Sequence, residues 1–170
     1  YSFASGGGGA ADARPNLDAR RPCVASIDET TAIDASGHCV VIDGYGQEGN
    51  RWYYHINFGW GGGGNLWYNF EEEWYDANGD GWSGPGVAVR NIYRTGSGAI
   101  VSGRVTDSYG NPVPGVTVTA TAASDAQIYE IVRWNDDSAF RHTTDENGVW
   151  AIDKLPNDKY TLSAKKNGLA

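Results

Sequence analysis

The chain has 170 residues, 40% of them hydrophobic and 20% charged, with a formal net charge of -8. That is room for one ordinary domain or two small ones, and seven Trp and ten Tyr exclude a disordered acidic tail. No Lys/Arg cluster offers a phosphate-binding surface, and no apolar run approaches the ~20 residues of a membrane helix, so neither nucleic acid nor membrane is an expected partner.

Twenty-four Gly and six Pro favour strands and tight turns over long helices, so the expected fold is mostly β. The chain has no Met and no signal peptide, and reads as a piece of a longer protein cut at both ends. Composition changes near Thr95-Gly96-Ser97-Gly98, with most of the Trp and Gly before it. A boundary is expected there, giving domains 1–96 and 97–170.

Ser5 to Ala13 is a Gly/Ala run with little to pack. Leu17 to Arg20 reads as the last turn of a helix stopped by Pro22, and Cys23 to Ile27 as a strand. Asp28 to Gly37 is a polar loop, Cys39 to Asp43 a buried strand, and Gly44 to Asn50 a turn. Trp52 to Phe58 is a strand with Trp52, Tyr54 and Ile56 on one face and Tyr53, His55 and Asn57 on the other. A Gly loop, Gly59 to Asn65, leads to strands at Leu66 to Phe70 and Gly86 to Tyr93.

Beyond the boundary, Ile100 to Asp107 and Val113 to Ala120 alternate about the turn Tyr109-Gly110-Asn111-Pro112. Thr143 to Gly148 is a hairpin turn into Val149 to Ile152, and Leu155 to Asp158 turns into Tyr160 to Ala164. Such spacing favours a β-sandwich. The insertion Ala123 to Ala139 has room for an extra strand at Ile128 to Trp134.

Cys23 and Cys39 allow one disulfide at most; both lie in apolar runs and read as small buried hydrophobes. His142 reads as a solvated strand residue, and His55 as packing within an aromatic strand. His38 opens an apolar strand beside loops, where binding residues are usually held, but from local sequence alone a structural His is the preferred reading. Glu71 to Glu73 is a solvated loop. Asp76, Asn78 and Asp80 with Gly81 match the first half of a calcium loop, but position 12 is Val87. A plain Asx-rich turn is the preferred reading, and no metal or other cofactor is expected.

The run Gly37-His38-Cys39-Val40-Val41-Ile42-Asp43-Gly44 is followed by His55-Ile56-Asn57-Phe58-Gly59-Trp60-Gly61-Gly62 and preceded by Leu17-Asp18-Ala19-Arg20-Arg21-Pro22. This resembles the His-bearing half of the streptopain family of papain-like cysteine peptidases, over roughly residues 17 to 94. The resemblance implies the C-terminal, β-rich half of an α+β protease fold. His38 would be the general base, Asn57 its orienter across neighbouring strands, and Trp60 or Phe58 the shield of that hydrogen bond. Phe58 stands where the family often has Trp. Gly61 and Gly62 would line the substrate cleft and Cys39 the specificity pocket. The family's nucleophile is a Cys opening a helix far upstream, and neither Cys here fits it. A thiolate attacks and the imidazole takes its proton, so the chain alone is expected to be inactive.

Residues 99 to 170 carry Ser102-Gly103-Arg104-Val105-Thr106-Asp107, Gly110-Asn111-Pro112-Val113-Pro114-Gly115 and Leu155-Pro156-Asn157-Asp158-Lys159-Tyr160. They resemble the carboxypeptidase regulatory-like domain, a transthyretin-like (prealbumin-like) β-sandwich, without its final strand. Together the resemblances imply a fragment of a secreted or cell-surface bacterial cysteine endopeptidase. Its expected partners are a peptide or protein substrate and the missing N-terminal half. The alternatives are a β-rich adhesion or carbohydrate-binding protein and a degenerate, non-catalytic protease homologue.

Overall fold

The computed structural model describes residues 2–3, 10–31, 36–76, 78–86, 88–92, 98–123, 140–156 and 158–166. Most of the Gly/Ala run, residues 95–97 of the expected linker, Val87, and the insertion with its strand at 128–134 lie outside them. The fold is mostly β, in two units, Tyr1–Arg94 and Thr95–Ala170.

In the first unit a five-residue helix, α1 (Arg14–Asp18), precedes the main strands. Its Asn16 is buried, and the side-chain oxygen accepts the Asn91 N–H at 2.7 Å. Strands β1 (Ser2–Phe3), β2 (Cys23–Glu29), β3 (Gly37–Glu48), β4 (Arg51–Asn57) and β5 (Leu66–Tyr68) are joined by β6 (Trp74–Tyr75), β7 (Gly81–Ser83) and β8 (Ala88–Arg90). All pair antiparallel in one sheet of order β1-β8-β2-β3-β4-β5, with β6 and β7 attached beside β2.

Alternation decides what this sheet buries. Cys23, Ala25 and Ile27 of β2 stand opposite Ile42, Val40 and His38 of β3, so all six share one face. Ile42 stands opposite Ile56 of β4, which adds Tyr54 and Ile56 to that face. Phe58, Tyr68, Trp74 and Trp82 complete the buried cluster. The strand faces expected for residues 52–57 are the observed ones.

The expected turn at 44–50 is a correction: β3 runs through to Glu48, and the turn is Gly49-Asn50 alone. Gly44 serves a close approach, not a turn. A Cβ there would meet the Trp67 ring at 3.3 Å and His55 Cβ at 3.4 Å, so the absent side chain makes room for the indole.

The second unit contains β9 (Ala99–Arg104), β10 (Val116–Ala122), β11 (Arg141–Thr143), β12 (Val149–Leu155) and β13 (Tyr160–Lys166). They form sheets of order β11-β10-β13 and β12-β9. Val116, Val118 and Ala120 of one sheet and Trp150, Ile152 and Leu155 of the other form the core. The strand expected from Val113 begins only at Val116, because Pro114 and Gly115, at φ 74°, make a turn first.

Candidate active site

His38 sits where a core-facing strand meets a loop. Its position opposite Ile27 aims the ring at the buried face, yet the side chain is only half-buried. Phe58 stacks on it at 5.9 Å and 13°, and Trp60 at 5.0 Å and 26°. Trp82 lies 6.2 Å from it, within 6.3 Å of both other rings. Phe58 and Trp82 are buried, whereas Trp60 is 44% exposed. The half-buried imidazole thus stands against one cluster of aromatic rings.

Nε2 of His38 lies 2.9 Å from the Phe58 carbonyl oxygen. A carbonyl can only accept, so Nε2 carries the hydrogen and donates it. In the neutral ring this leaves the lone pair on Nδ1. The carbonyl therefore sets both the rotation and the tautomer of the ring.

Asn57 is not the direct partner expected of it. It stands opposite Val41, one residue out of step with the Ile42–Ile56 pair, so its side chain and His38 project from opposite faces of the sheet. Its side-chain oxygen accepts the Gly59 N–H at 2.9 Å. This placement removes the form of the protease reading in which the Asn57 amide touches the imidazole. The orienting acceptor is a backbone carbonyl one residue later.

Phe58 and Trp60, the two residues expected to act as shield, both stack on the imidazole ring. Gly61 and Gly62 are exposed, at φ 64° and 102°, in a tight turn where Gly63 N–H donates to the Trp60 carbonyl at 3.2 Å. Asn65 closes the loop, its side-chain oxygen accepting the Phe58 N–H at 3.0 Å.

Both cysteines are free. Cys23 is fully buried, and burial pushes its thiol up to about 11, with the nearby Arg90 charge opposing. Cys39 is exposed, against the buried reading of it, because it lies opposite Ser26 on the face away from His38. It is therefore not brought to the His38 side as a pocket residue would be. Neither cysteine stands beside the imidazole.

His55 stands on the face that parity assigned to it, packed against an aromatic ring. It is on the outer face, where Nδ1–H donates to Asp43 Oδ1 at 2.6 Å, with Trp67 5.3 Å from its ring. His142 is exposed, and Glu71 to Glu73 are exposed. Asp76 is buried and its carboxylate is spent internally. Oδ1 accepts the N–H groups of Asn78 and Asp80 at 2.8 and 3.2 Å, and Oδ2 accepts the Trp82 indole N–H at 3.1 Å. These are the hydrogen bonds of an Asx-rich turn. Among the described residues no acidic, His or Cys group has metal-binding geometry.

Trp82 and Asn65 are the residues that sequence reading missed. The signal for Trp82 was present: Asp76 and Gly79 between Trp74 and Trp82 make a hairpin, and Trp74 pairs with Trp82. For Asn65, no local pattern distinguishes it from the rest of the Gly loop.

Comparison with known proteins gives two family matches. Residues 10–68 match the Peptidase C10 family, and residues 100–170 match the carboxypeptidase regulatory-like domain. The first match contains His38, Asn57 and Trp60; it ends before Trp82. No curated protein and no solved structure matches the chain.

Proposed function

We propose that the first unit supplies the base side of a cysteine endopeptidase site. The observation that carries this is the His38 imidazole, fixed by the Phe58 carbonyl at 2.9 Å beneath the Trp60 ring. It stands within the segment that matches the Peptidase C10 family. His38 Nδ1 is the nitrogen that would take a thiol proton and later return it to the leaving amine. Phe58, Trp60 and Trp82 pack against the ring. Exposed Gly61 and Gly62 let a substrate backbone pass close to the loop.

The nucleophile is proposed to be a cysteine on another segment, since Cys39 faces away from His38 and Cys23 stands opposite Ile42, four residues further along β3. The substrate is a peptide or protein, and the setting is the cell exterior. The second unit carries no catalytic group in this proposal and serves as an appended module.

The test is turnover of a fluorogenic peptide, with labelling by a thiol-directed epoxide. The chain alone should be silent. Joined to the nucleophile-bearing half of a Peptidase C10 enzyme, it should cleave, and His38→Ala should abolish cleavage. A folded, joined chain that neither cleaves nor takes the label would overturn the peptidase proposal in favour of a non-catalytic homologue. Cleavage by the unjoined chain, lost in His38→Ala, would instead promote one of its own two cysteines.

One observation favours the binding-module alternative. Trp67 is 54% exposed and lies against Gly44, a flat aromatic surface of the kind that stacks on sugars. Oligosaccharide titration that quenches tryptophan fluorescence in the native chain, but not in Trp67→Ala, would support it.

A further inference from the structure

The expected orienter, Asn57, and the observed one, the Phe58 carbonyl, belong to a single hydrogen-bonded chain. The peptide between Phe58 and Gly59 has its C=O on His38 Nε2 at 2.9 Å and its N–H on Asn57 Oδ1 at 2.9 Å. In a trans peptide the C=O and N–H point in opposite directions. A side chain on the outer face can therefore hold a ring on the inner face by gripping the other edge of the same peptide. The preceding peptide is braced as well, through Phe58 N–H to Asn65 Oδ1 at 3.0 Å. Gly59 makes this geometry accessible with φ 79°, a conformation costly for any residue with a Cβ.

We propose that Asn57 is a positioning residue that selects the Nε2–H tautomer of His38 through the Phe58–Gly59 peptide, with Asn65 as a second brace. Its catalytic meaning rests on His38 being the base; the hydrogen bonds do not. Accepting the Gly59 N–H polarises the peptide and strengthens the carbonyl as an acceptor. It also fixes the plane of the peptide, and with it the direction in which the carbonyl oxygen points. Two separate acceptors, from residues 57 and 65, thereby hold the N–H groups of Phe58 and Gly59.

The test reads the tautomer directly, by long-range proton–nitrogen NMR correlations of His38 in mildly alkaline buffer, on the full chain. The native protein should show the Nε2–H form. Asn57→Ala should lower the ratio of Nε2–H to Nδ1–H about fivefold, the population change matching one ordinary hydrogen bond's net contribution. Asn57→Asp keeps the Oδ1 acceptor and should retain the native ratio. If Asn57→Ala fails to fold, Asn57→Ser, whose hydroxyl accepts the same N–H more weakly, should fall between. An unchanged tautomer in Asn57→Ala, or in Asn57→Ser where the alanine variant does not fold, would overturn the proposal and leave Asn57 as the end of β4 alone. Because no peptide is cleaved in this measurement, its failure is separate from failure of the peptidase reading. That reading is judged by turnover of the joined chain.

Discussion

Replacing Asp76 tests whether a buried carboxylate supports the wall of the site or awaits a metal. Asp76→Ala removes the acceptor for two backbone N–H groups and for the Trp82 indole. The Asn78 and Asp80 amides lie in a partly exposed turn and can find water. The Trp82 indole cannot, because Trp82 is 4% exposed. Hydrogen bonds to a charged group contribute roughly 1.5–3 kcal/mol, and a buried orphan donor costs about 1–3 kcal/mol. Since the three share one group and the charge itself is costly to bury, a loss of about 3–5 kcal/mol is expected, a large part of a small domain's stability. Asp76→Asn keeps one oxygen, which can serve the turn or the indole but not both, so about 1–2 kcal/mol should be lost. The assay is urea unfolding followed by tryptophan fluorescence, with and without calcium. Calcium should leave the native midpoint unmoved, since a ligand of the native state would raise it. An Asp76→Ala cost below about 1 kcal/mol, or a calcium-raised midpoint lost in that variant, would refute the reasoning.

Three further outcomes are expected. Native protein should react with a thiol reagent at Cys39 and not at Cys23, which burial removes from solvent and whose thiol is pushed up to about 11; two fast-reacting thiols before denaturation would contradict this. Gly148→Ala should lower the melting temperature of the second unit more than Gly110→Ala does. Both glycines have left-handed φ, 72° and 85°, but a Cβ at Gly148 would fall 2.4 Å from the Val105 carbonyl oxygen, whereas at Gly110 it meets nothing within 4 Å. The left-handed conformation alone costs about 1–2 kcal/mol, so equal losses would show that the collision is relieved. Asp107 is held below the ordinary carboxylate range, first by the Asn111 side chain and then by backbone N–H groups. A depressed folded value means its stabilisation is complete above the unfolded value of about 3.9 and lost as pH falls through the folded one. The stability advantage of the native protein over Asp107→Asn should therefore be full near neutral pH and shrink as pH falls through that acidic window, and a difference that does not change with pH would contradict it.

The strands were legible wherever alternation had a single partner face. Residues 52–57 show this: each buried residue of β4 was named from its parity, and the pairing with β3 preserved it. The turn at 44–50 was misread because Gly was taken as punctuation, when its lack of a side chain answers to Trp67, which is distant in sequence. Asn57 was placed on the correct face of β4 yet assigned a partner on the other. Parity and the resemblance conflicted, and parity was the physical constraint. The solution, a peptide linking both faces, involves backbone atoms that carry no residue-specific signal. Trp82 was missed for a different reason. Its strand, β7, has three residues and reaches His38 only through the fold.

The calcium-like run at 76–81 has a counterpart that explains it. Asp76, Asp107 and Asp145 begin the same loop. In each, Oδ1 accepts the N–H groups two and four residues later. In each, the Asp N–H donates to the carbonyl four residues later, and a Gly three residues later, with positive φ, donates back to the Asp carbonyl. The intervening oxygens are dispensable, since Tyr109 and Asn147 occupy one equivalent position and Asn111 and Val149 the other. Asp and Gly therefore recur because a hairpin needs an acceptor at its first residue and a left-handed residue at its fourth. That demand is met in both units, whose family matches differ, so local backbone chemistry is enough to account for the pattern. What separates the members is the second oxygen. Asp107 Oδ2 accepts from Asn111 Nδ2 at 3.0 Å within its own loop, whereas Asp76 Oδ2 holds the Trp82 indole, whose ring stands 6.2 Å from His38. A generic turn thus becomes part of the site through the one acceptor that the turn itself does not use.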